Sequence, residues 1–247
     1  MANFSTFLDI LPDPNNPIGE GGEALATASG GVAGLGFKDV KLTSTAPTQV
    51  SRTNSGRMIT RRIAGQKWDI AITYNPMTRD QFEPVYNFLL ARGRLDPFFV
   101  QLPNQLSGRN AAFATYTASN TPTAGTALNQ GAQFMLQAGH SATQTTTPKP
   151  GDMFTVTDSN DSLHTKAYRV TRVMDNAAYH TGLHSQPTTA QRIVYFSPPL
   201  QRSVGSGSGI DYYQPLFRVI MKSDVQVYSL STNNLYSFSL NLEEAQA

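Results

Sequence analysis

Histidines are the only side chains in this sequence with the spacing of a metal site. His180 and His184 are four residues apart, which would bring two imidazoles together on one face of a helix. The intervening residues, Thr181-Gly182-Leu183, are typical of a loop, so a solvated turn is favoured. The chain has no cysteine, which excludes disulfides, thiolate nucleophiles, zinc fingers and iron–sulfur clusters. The sequence therefore predicts no metal site.

Serine and glycine patterns indicate neither a nucleophile nor a nucleotide site. Residues 205–209 contain Ser206 and Ser208 but lack the G-x-S-x-G order of a nucleophile elbow, so a flexible linker is predicted there. The glycine clusters at 19–22 and 30–36 match neither the dinucleotide fingerprint nor the phosphate loop. Acidic residues are sparse and give no pair suited to general acid–base catalysis. We predict that the protein is not an enzyme and has no cofactor.

The densest group of like charges is a set of four arginines within eleven residues: Arg52, Arg57, Arg61 and Arg62. They are interpreted either as a solvated strand edge, where cations discourage aggregation, or as a contact with another subunit. In the second interpretation, the partner is the acidic N-terminal segment or the Glu243 and Glu244 pair of a neighbouring copy. Nucleic-acid binding is least favoured, because the net charge of the whole chain is only +2.

The composition indicates a folded, β-rich protein. A length of 247 residues is enough for a core that buries roughly 70% of the surface of the unfolded chain. Only 15% of the residues are charged, against about 25% in an average globular protein, and Thr, Ser, Asn and Gln take their place. No stretch approaches the ~20 apolar residues of a membrane-spanning helix, and the N-terminus lacks the basic start of a signal peptide. We expect a soluble protein.

Hydrophobic periodicity divides the chain into three parts. Residues 1–36 carry four acids and no base and are predicted to form an extended arm. Residues 37–105 and 208–247 show alternating strand patterns and are predicted to form one sandwich or split barrel. Residues 106–207 are predicted to form an inserted all-β module, a small barrel or sandwich. Its predicted strands lie at 111–118, 133–138, 152–158, 167–174 and 192–196.

Two local patterns stand out in residues 37–105, which we call the first β segment. Residues 57–63 and 67–74 have strand character, and the short connector between them predicts that they pair as a hairpin. The spacing of Asp80 and Glu83 predicts a capping box for a single helix over about 79–92. The helix is expected to pack across the sheet, and a closing hairpin to end the chain. The apolar stripe of the helix consists of Phe82, Val85, Tyr86, Leu89 and Leu90.

Several short motifs follow one another in a definite order. The first β segment contains S-G-R (55–57), R-x-x-G-x-x-W (62–68), Y-N-P-M (74–77), R-G-x-x-x-P-F-F (92–99) and L-P (102–103). The inserted module contains K-P-G-D-M-F (149–154), A-Y-R-V-T (167–171) and F-S-P-P-L (196–200). With these motifs in this order, the chain resembles the tail proteins of tailed bacteriophages. The resemblance is to the distal-tail or baseplate-hub ring proteins, which join the tail tube to the tip.

The resemblance implies a tail-tube-like β-sandwich or split barrel with one flanking α-helix, interrupted by a small inserted β-barrel or sandwich. It also implies a homohexameric ring whose bore passes the genome DNA without sequence-specific binding. The inserted module would contact other tail proteins of the tube, hub and tip. A protein of this kind is a structural component of the virion tail and is synthesised in the host cytoplasm.

Two other functions are open on the residues alone. An all-β module with exposed aromatic side chains such as Tyr116, Tyr168 and Tyr179 can stack on sugar rings, which would make it a carbohydrate-binding or adhesion module. A cell-wall hydrolase is the third alternative. It is disfavoured because the sequence offers neither a pair of catalytic acids nor a convincing metal-ligand spacing.

Overall fold

The computed structural model describes residues 10–13, 36–62, 65–141, 146–177, 186–224 and 226–245. This part of the chain divides into two compact units. The first comprises the described residues up to Val100 together with Arg218–Ala245, and the second comprises Gln101–Phe217. The first contains a curled sheet and the second a closed six-stranded barrel, which confirms the predicted mainly-β fold with an inserted barrel.

Fourteen strands and two α-helices follow one another in the described part of the chain. The strands are β1 (Phe37–Thr45), β2 (Thr48–Arg52), β3 (Met58–Arg62), β4 (Lys67–Tyr74), β5 (Phe98–Gln101), β6 (Thr123–Ala124), β7 (Phe134–Ala138), β8 (Met153–Thr157), β9 (Ala167–Met174), β10 (Arg192–Ser197), β11 (Gly209–Asp211), β12 (Leu216–Met221), β13 (Tyr228–Leu230) and β14 (Tyr236–Glu244). The helices are α1 (Arg79–Arg92) and α2 (Ala111–Thr117), and a short 3-10 helix spans Pro103–Gln105.

The sheet of the first unit has the strand order β1-β4-β14-β12-β5, and β13 pairs with the first part of β14. Strand β4 lies between β1 and β14 and pairs antiparallel with both. Its side chains alternate, so that Trp68, Ile70 and Ile72 are buried while Lys67 and Thr73 are exposed. The predicted alternation is confirmed, and β13 with β14 forms the predicted closing hairpin.

Strands β2 and β3 form a separate two-stranded sheet. The predicted hairpin between residues 57–63 and 67–74 is therefore wrong, because β3 pairs with β2 while β4 pairs with β1 and β14. The physical reason is that β1 and β14 pair along the two edges of β4, so no edge is left for β3. The apolar face of β4 is buried in the centre of the sheet, whereas the side chains described on β2 and β3 are all exposed.

Helix α1 covers the predicted range, but it begins with a different cap. The residue before it is Thr78, whose backbone N–H donates to Gln81 Oε1 at 3.2 Å. The predicted capping pair of Asp80 and Glu83 is wrong, because the helix begins before Asp80 and both acids lie within its first turns. An acid in the first turn still favours the helix, since it faces the positive end of the helix dipole.

Phe82 is the central contact between α1 and the sheet. Its ring stacks on that of Tyr236, with 4.6 Å between the ring centroids. Val85 and Leu89 are buried on the same helix, but Leu90, which the predicted stripe includes, is 57% exposed. The buried face of α1 is thus narrower than the sequence pattern predicts.

Replacing Phe82 by alanine is expected to lower the free energy of unfolding by about 3–5 kcal/mol, because a buried aromatic ring is removed and a cavity is left. Leu90→Ala is the matched control on the same helix. It should cost less than about 0.5 kcal/mol, since the leucine side chain is exposed. Urea unfolding followed by circular dichroism measures both variants, and equal losses would contradict this packing of α1.

The barrel of the second unit is closed in the order β10-β7-β6-β11-β8-β9. Each strand pairs with a neighbour on both sides, so the barrel has no free sheet edge. Its core is rich in aromatic rings that contact one another. The buried rings are those of Phe113, Phe154, Tyr168, Phe196 and Tyr212.

Residues 111–118 are predicted as a strand, but Ala111–Thr117 form helix α2 instead. The side chain of Asn110 caps this helix by accepting a hydrogen bond from Ala112 N at 3.2 Å. Phe113 and Thr117 are buried while Thr115 between them is exposed, which fits a helix face, because residues 113, 115 and 117 of a strand would all share one face. The capping asparagine and this burial pattern override the strand preference of the threonines and tyrosine.

Residues 205–209, predicted as a flexible linker, belong to the barrel unit. The Gly207 N–H donates to the Ala124 carbonyl at 2.7 Å. Gly209 begins β11 and pairs with Thr123 on one side and Thr157 on the other. Gly207 has a φ of +86°, a left-handed backbone conformation that glycine adopts without strain, so this segment forms a defined turn before β11.

Part of the predicted N-terminal arm packs within the first unit. The Leu11 N–H donates to the Phe99 carbonyl at 2.8 Å, and Leu11 and Asp13 are buried. Apart from residues 10–13 and Gly36, the predicted arm lies outside the described residues. None of the helices described is long and apolar enough to cross a membrane.

Candidate functional sites

Strands β2 and β3 and the turn between them, residues 48–62, form an exposed hairpin that we call the arginine hairpin. Its turn is closed by hydrogen bonds from Gly56 N to Thr53 O at 2.9 Å and from Thr53 N to Arg57 O at 3.0 Å. In the described part of the chain, its strands pair with each other and with no other strand. An isolated two-stranded hairpin is marginally stable in water, so a further surface packed against it would stabilise it.

Apolar side chains lie on both faces of the arginine hairpin. Val50 is opposite Thr60 and Met58 is opposite Arg52, which places these four residues on one face, while Ile59 is on the other. Val50, Met58 and Ile59 are 55%, 58% and 53% exposed. Methionine and arginine are both enriched in protein–protein interfaces, so this surface has the composition of a contact with another protein.

The structure brings the four predicted arginines together on this hairpin. Arg52 is the last residue of β2, and Arg57 immediately precedes β3. Arg61 and Arg62 end β3. The side chains of Arg52, Arg57 and Arg61 are exposed, and the hairpin contains no acidic residue. A region of concentrated positive charge therefore coincides with the exposed apolar side chains.

The two glutamates predicted as partners are placed differently. Glu244 is only 2% exposed, and its carboxylate accepts a hydrogen bond from the Trp68 backbone N–H at 3.1 Å. Glu243 lies on the same strand, paired with Asp69, and is half-buried. Glu244 therefore forms a buried hydrogen bond within its own unit and is not exposed for contact with a neighbouring subunit.

Two of the three predicted sugar-stacking aromatics, Tyr116 and Tyr168, do not form an exposed platform. Tyr168 is fully buried, because it lies on the inner face of β9, and its hydroxyl is 2.7 Å from His164 Nε2. Tyr116 is half-buried, and its hydroxyl donates to the Gly139 carbonyl at 2.6 Å. The third aromatic, Tyr179, lies outside the described residues. His180 and His184, the two histidines with the spacing of a metal site, also lie outside them.

A cavity of about 650 Å³ opens at the surface of the second unit, and we call it the barrel pocket. Three segments of the chain line it: residues 127–130, residues 158–161 without Ser159, and residues 201–205. Its volume falls within the range of small-molecule sites, about 300–1,000 Å³.

Hydrogen bonds join the three segments of the barrel pocket. Leu128 and Val204 exchange two backbone hydrogen bonds, of 2.8 and 2.9 Å. The Asp158 carboxylate accepts a hydrogen bond from Gly205 N at 2.9 Å through Oδ2. The wall of the pocket is therefore formed before any ligand binds, which lowers the entropic cost of binding.

The charged side chains of the barrel pocket are satisfied within the protein. Hydrogen bonding from the Gly205 N–H lowers the pKa of Asp158, and the hydrogen bond from Arg202 lowers the pKa of Asp161. Arg202 and Asp161 also form an ion pair. Among the residues that the structure describes, no group of three His, Asp or Glu side chains is placed to hold a metal ion.

Two buried histidines lie in the second unit. His164 contacts the hydroxyl of Tyr168, which accepts a hydrogen bond from Gln201 N at 3.0 Å and so supports the wall of the barrel pocket. His140 Nε2 is 3.2 Å from Gln137 Oε1. Burial lowers the pKa of His164 to about 4 and that of His140 to about 3, from an ordinary value of 6.5. Both histidines are therefore neutral in the folded protein at neutral pH.

These pKa values make the protein less stable in mild acid. Below pH 6.5 the unfolded chain binds protons on both histidines, whereas the folded chain does not do so until the pH approaches 4. Stability is thus greatest above pH 6.5 and is expected to fall by about 2 kcal/mol per histidine at pH 5.

The urea midpoint measured at pH 7.5 and at pH 5 tests this expectation. The variant His140→Gln/His164→Gln removes both groups and should flatten the slope between these two pH values. A wild-type midpoint that stays constant or rises on acidification would contradict the burial of the two imidazoles.

No protein-family model matches the chain. No curated protein matches it either. Proposals about its function therefore rest on the arginine hairpin, on the barrel pocket and on the order of the sequence motifs.

Proposed function

We propose that this chain is a structural protein of a bacteriophage tail, which assembles with copies of itself into a ring at the distal tube or the baseplate hub. The observation that carries the proposal is the arginine hairpin, which exposes apolar and cationic side chains on an isolated pair of strands. The order of the motifs and the mainly-β fold support the same function. This role requires no catalytic site and no cofactor.

A second copy of the chain is the partner that we assign to the hairpin. A hairpin that docks on a different surface of the next copy makes a heterologous contact, and contacts of this kind close into rings when the rotation between copies allows it. Burial of Val50, Met58 and Ile59 in each contact would add about 25 cal/mol for every Å² of apolar surface removed from water.

The bore of such a ring passes DNA without holding it. Each lysine or arginine that neutralises a phosphate releases a counterion and strengthens binding, so a strongly basic bore would retain the genome. The net charge of +2 per chain is compatible with passage. Six copies follow from the motif resemblance, and other proteins of the tube, hub and tip are the further partners.

Light-scattering mass after size exclusion tests the assembly. For six copies of a 26.9 kDa chain, we expect a peak of about 160 kDa. A single peak at 26.9 kDa at every protein concentration examined would overturn the proposal.

A further inference from the structure

We propose that the barrel pocket binds a neutral saccharide. The pocket lies wholly within the second unit, so this inference stands apart from ring assembly. It also differs from the sugar-stacking site that the aromatic residues predicted, since neither Tyr116 nor Tyr168 lines this pocket.

Four carboxamide side chains line the barrel pocket: Asn129, Gln130, Asn160 and Gln201. Asn129, Gln130 and Asn160 are exposed and Gln201 is half-buried, and within the described part of the chain no hydrogen bond joins any of the four amide groups to another residue. Each carboxamide offers two N–H donors and one carbonyl acceptor side by side. A sugar hydroxyl both donates and accepts, so neighbouring hydroxyls of one ring can be matched by such groups. The concentration of uncommitted amides therefore favours a polyhydroxylated ligand.

The charges of the pocket argue against ionic ligands. Asp158, Asp161 and Arg202 together give a net charge of −1, which disfavours phosphate groups and nucleic acid. The two carboxylates also do not suit a bound cation, because Asp158 accepts a hydrogen bond from a backbone N–H and Asp161 is paired with Arg202. Their pKa values are both lowered, so both remain charged and neither is a proton donor at neutral pH.

The apolar content of the pocket argues against lipids and hydrophobic peptides. Among the residues that the structure describes, no aromatic side chain lines it, and its larger apolar residues are Leu128, which is half-buried, and Val204, which is buried in the core. A peptide or lipid is normally anchored by a large apolar side chain or tail in an apolar pocket, and no such pocket is provided here. A short, uncharged oligosaccharide is the ligand class that fits the volume, the charge and the lining.

A glycan array probed with the full-length protein tests this inference. The array carries neutral oligosaccharides in one set and anionic ones, bearing uronate, sulfate or phosphate, in the other. We expect binding within the neutral set, and titration calorimetry with the best-bound neutral oligosaccharide then gives its affinity. Absence of binding to every neutral oligosaccharide, or binding confined to the anionic set, would overturn the proposal.

Two variants connect the binding to this pocket. Asn129→Ala/Gln201→Ala removes two of the four carboxamides and should weaken binding of that oligosaccharide at least about tenfold. Gln133→Ala is the matched control, because Gln133 is an exposed glutamine of the same unit that does not line the pocket. The affinity of this control variant for the oligosaccharide should equal that of the wild type. Equal affinities for the double variant and the control, with both folded by circular dichroism, would place the site elsewhere and overturn the assignment.

Discussion

Reversing two charges of the arginine hairpin, in the variant Arg57→Glu/Arg61→Glu, is expected to convert the assembled protein into monomers. Both arginines are exposed and lie beside Met58 and Ile59. If this surface is buried against the next copy, two acids in place of two arginines leave unmatched charges in the contact. Truncation or reversal of a central interface residue costs about 2–4 kcal/mol, which weakens each contact roughly 30- to 1,000-fold.

The matched control for this experiment is Lys38→Glu/Lys41→Glu. It makes the same change in net charge on exposed residues of β1, in the same unit but outside the hairpin. Light scattering should give the assembled mass for the control and 26.9 kDa for the hairpin variant. A hairpin variant that keeps the assembled mass would show that copies meet through another surface.

The second large effect is expected at Arg192, whose guanidinium is fully buried in the second unit. Its Nη1 donates to the carbonyls of Thr189 at 2.7 Å and Gln191 at 2.8 Å. Its Nε donates to Thr147 Oγ1 at 3.0 Å, and its Nη2 to the Ser141 carbonyl at 3.3 Å. One side chain thus joins β10 to the preceding turn and to two separate loop positions. Arg192→Ala should lower the free energy of unfolding by about 3–5 kcal/mol, because four hydrogen bonds are lost together and a large, fully buried side chain is removed.

Two comparisons separate this role from a general effect of losing charge. Arg172→Ala removes an exposed arginine of the same barrel, which lies 5.5 Å from the ring centre of Tyr195, and should cost no more than about 1 kcal/mol. Arg192→Lys keeps the charge but loses the forked geometry, and its cost should lie between those of the other two variants. Urea unfolding gives all three values. A loss for Arg192→Ala no larger than that for Arg172→Ala would contradict the role of Arg192.

Elements whose apolar residues repeat at a regular spacing could be predicted from the sequence. The alternation of Trp68, Ile70 and Ile72 predicted β4, and the apolar stripe predicted α1, because each pattern lies within one element. The pairing of β3 could not be predicted in this way. Which strand it joins depends on contacts between elements. The short connector after it suggested a hairpin with β4, but both edges of β4 are paired with β1 and β14.

The same distinction, between residues close in sequence and residues brought together by the fold, applies to the candidate sites. The four arginines of the hairpin are close in sequence, so their grouping could be predicted before the fold was known. The barrel pocket could not, because its lining comes from segments near residues 129, 160 and 201 that meet only through the closed barrel. The burial of Glu244 was equally hidden, since a charged residue at the end of a strand is normally solvated.

Images of the purified protein in negative stain test the central proposal, ring assembly through the arginine hairpin, most directly. The expected result is a rotationally symmetric particle with an open bore wide enough for duplex DNA, seen for the wild type and absent for Arg57→Glu/Arg61→Glu. Particles that are only single copies, or closed two-fold dimers without a bore, would contradict it.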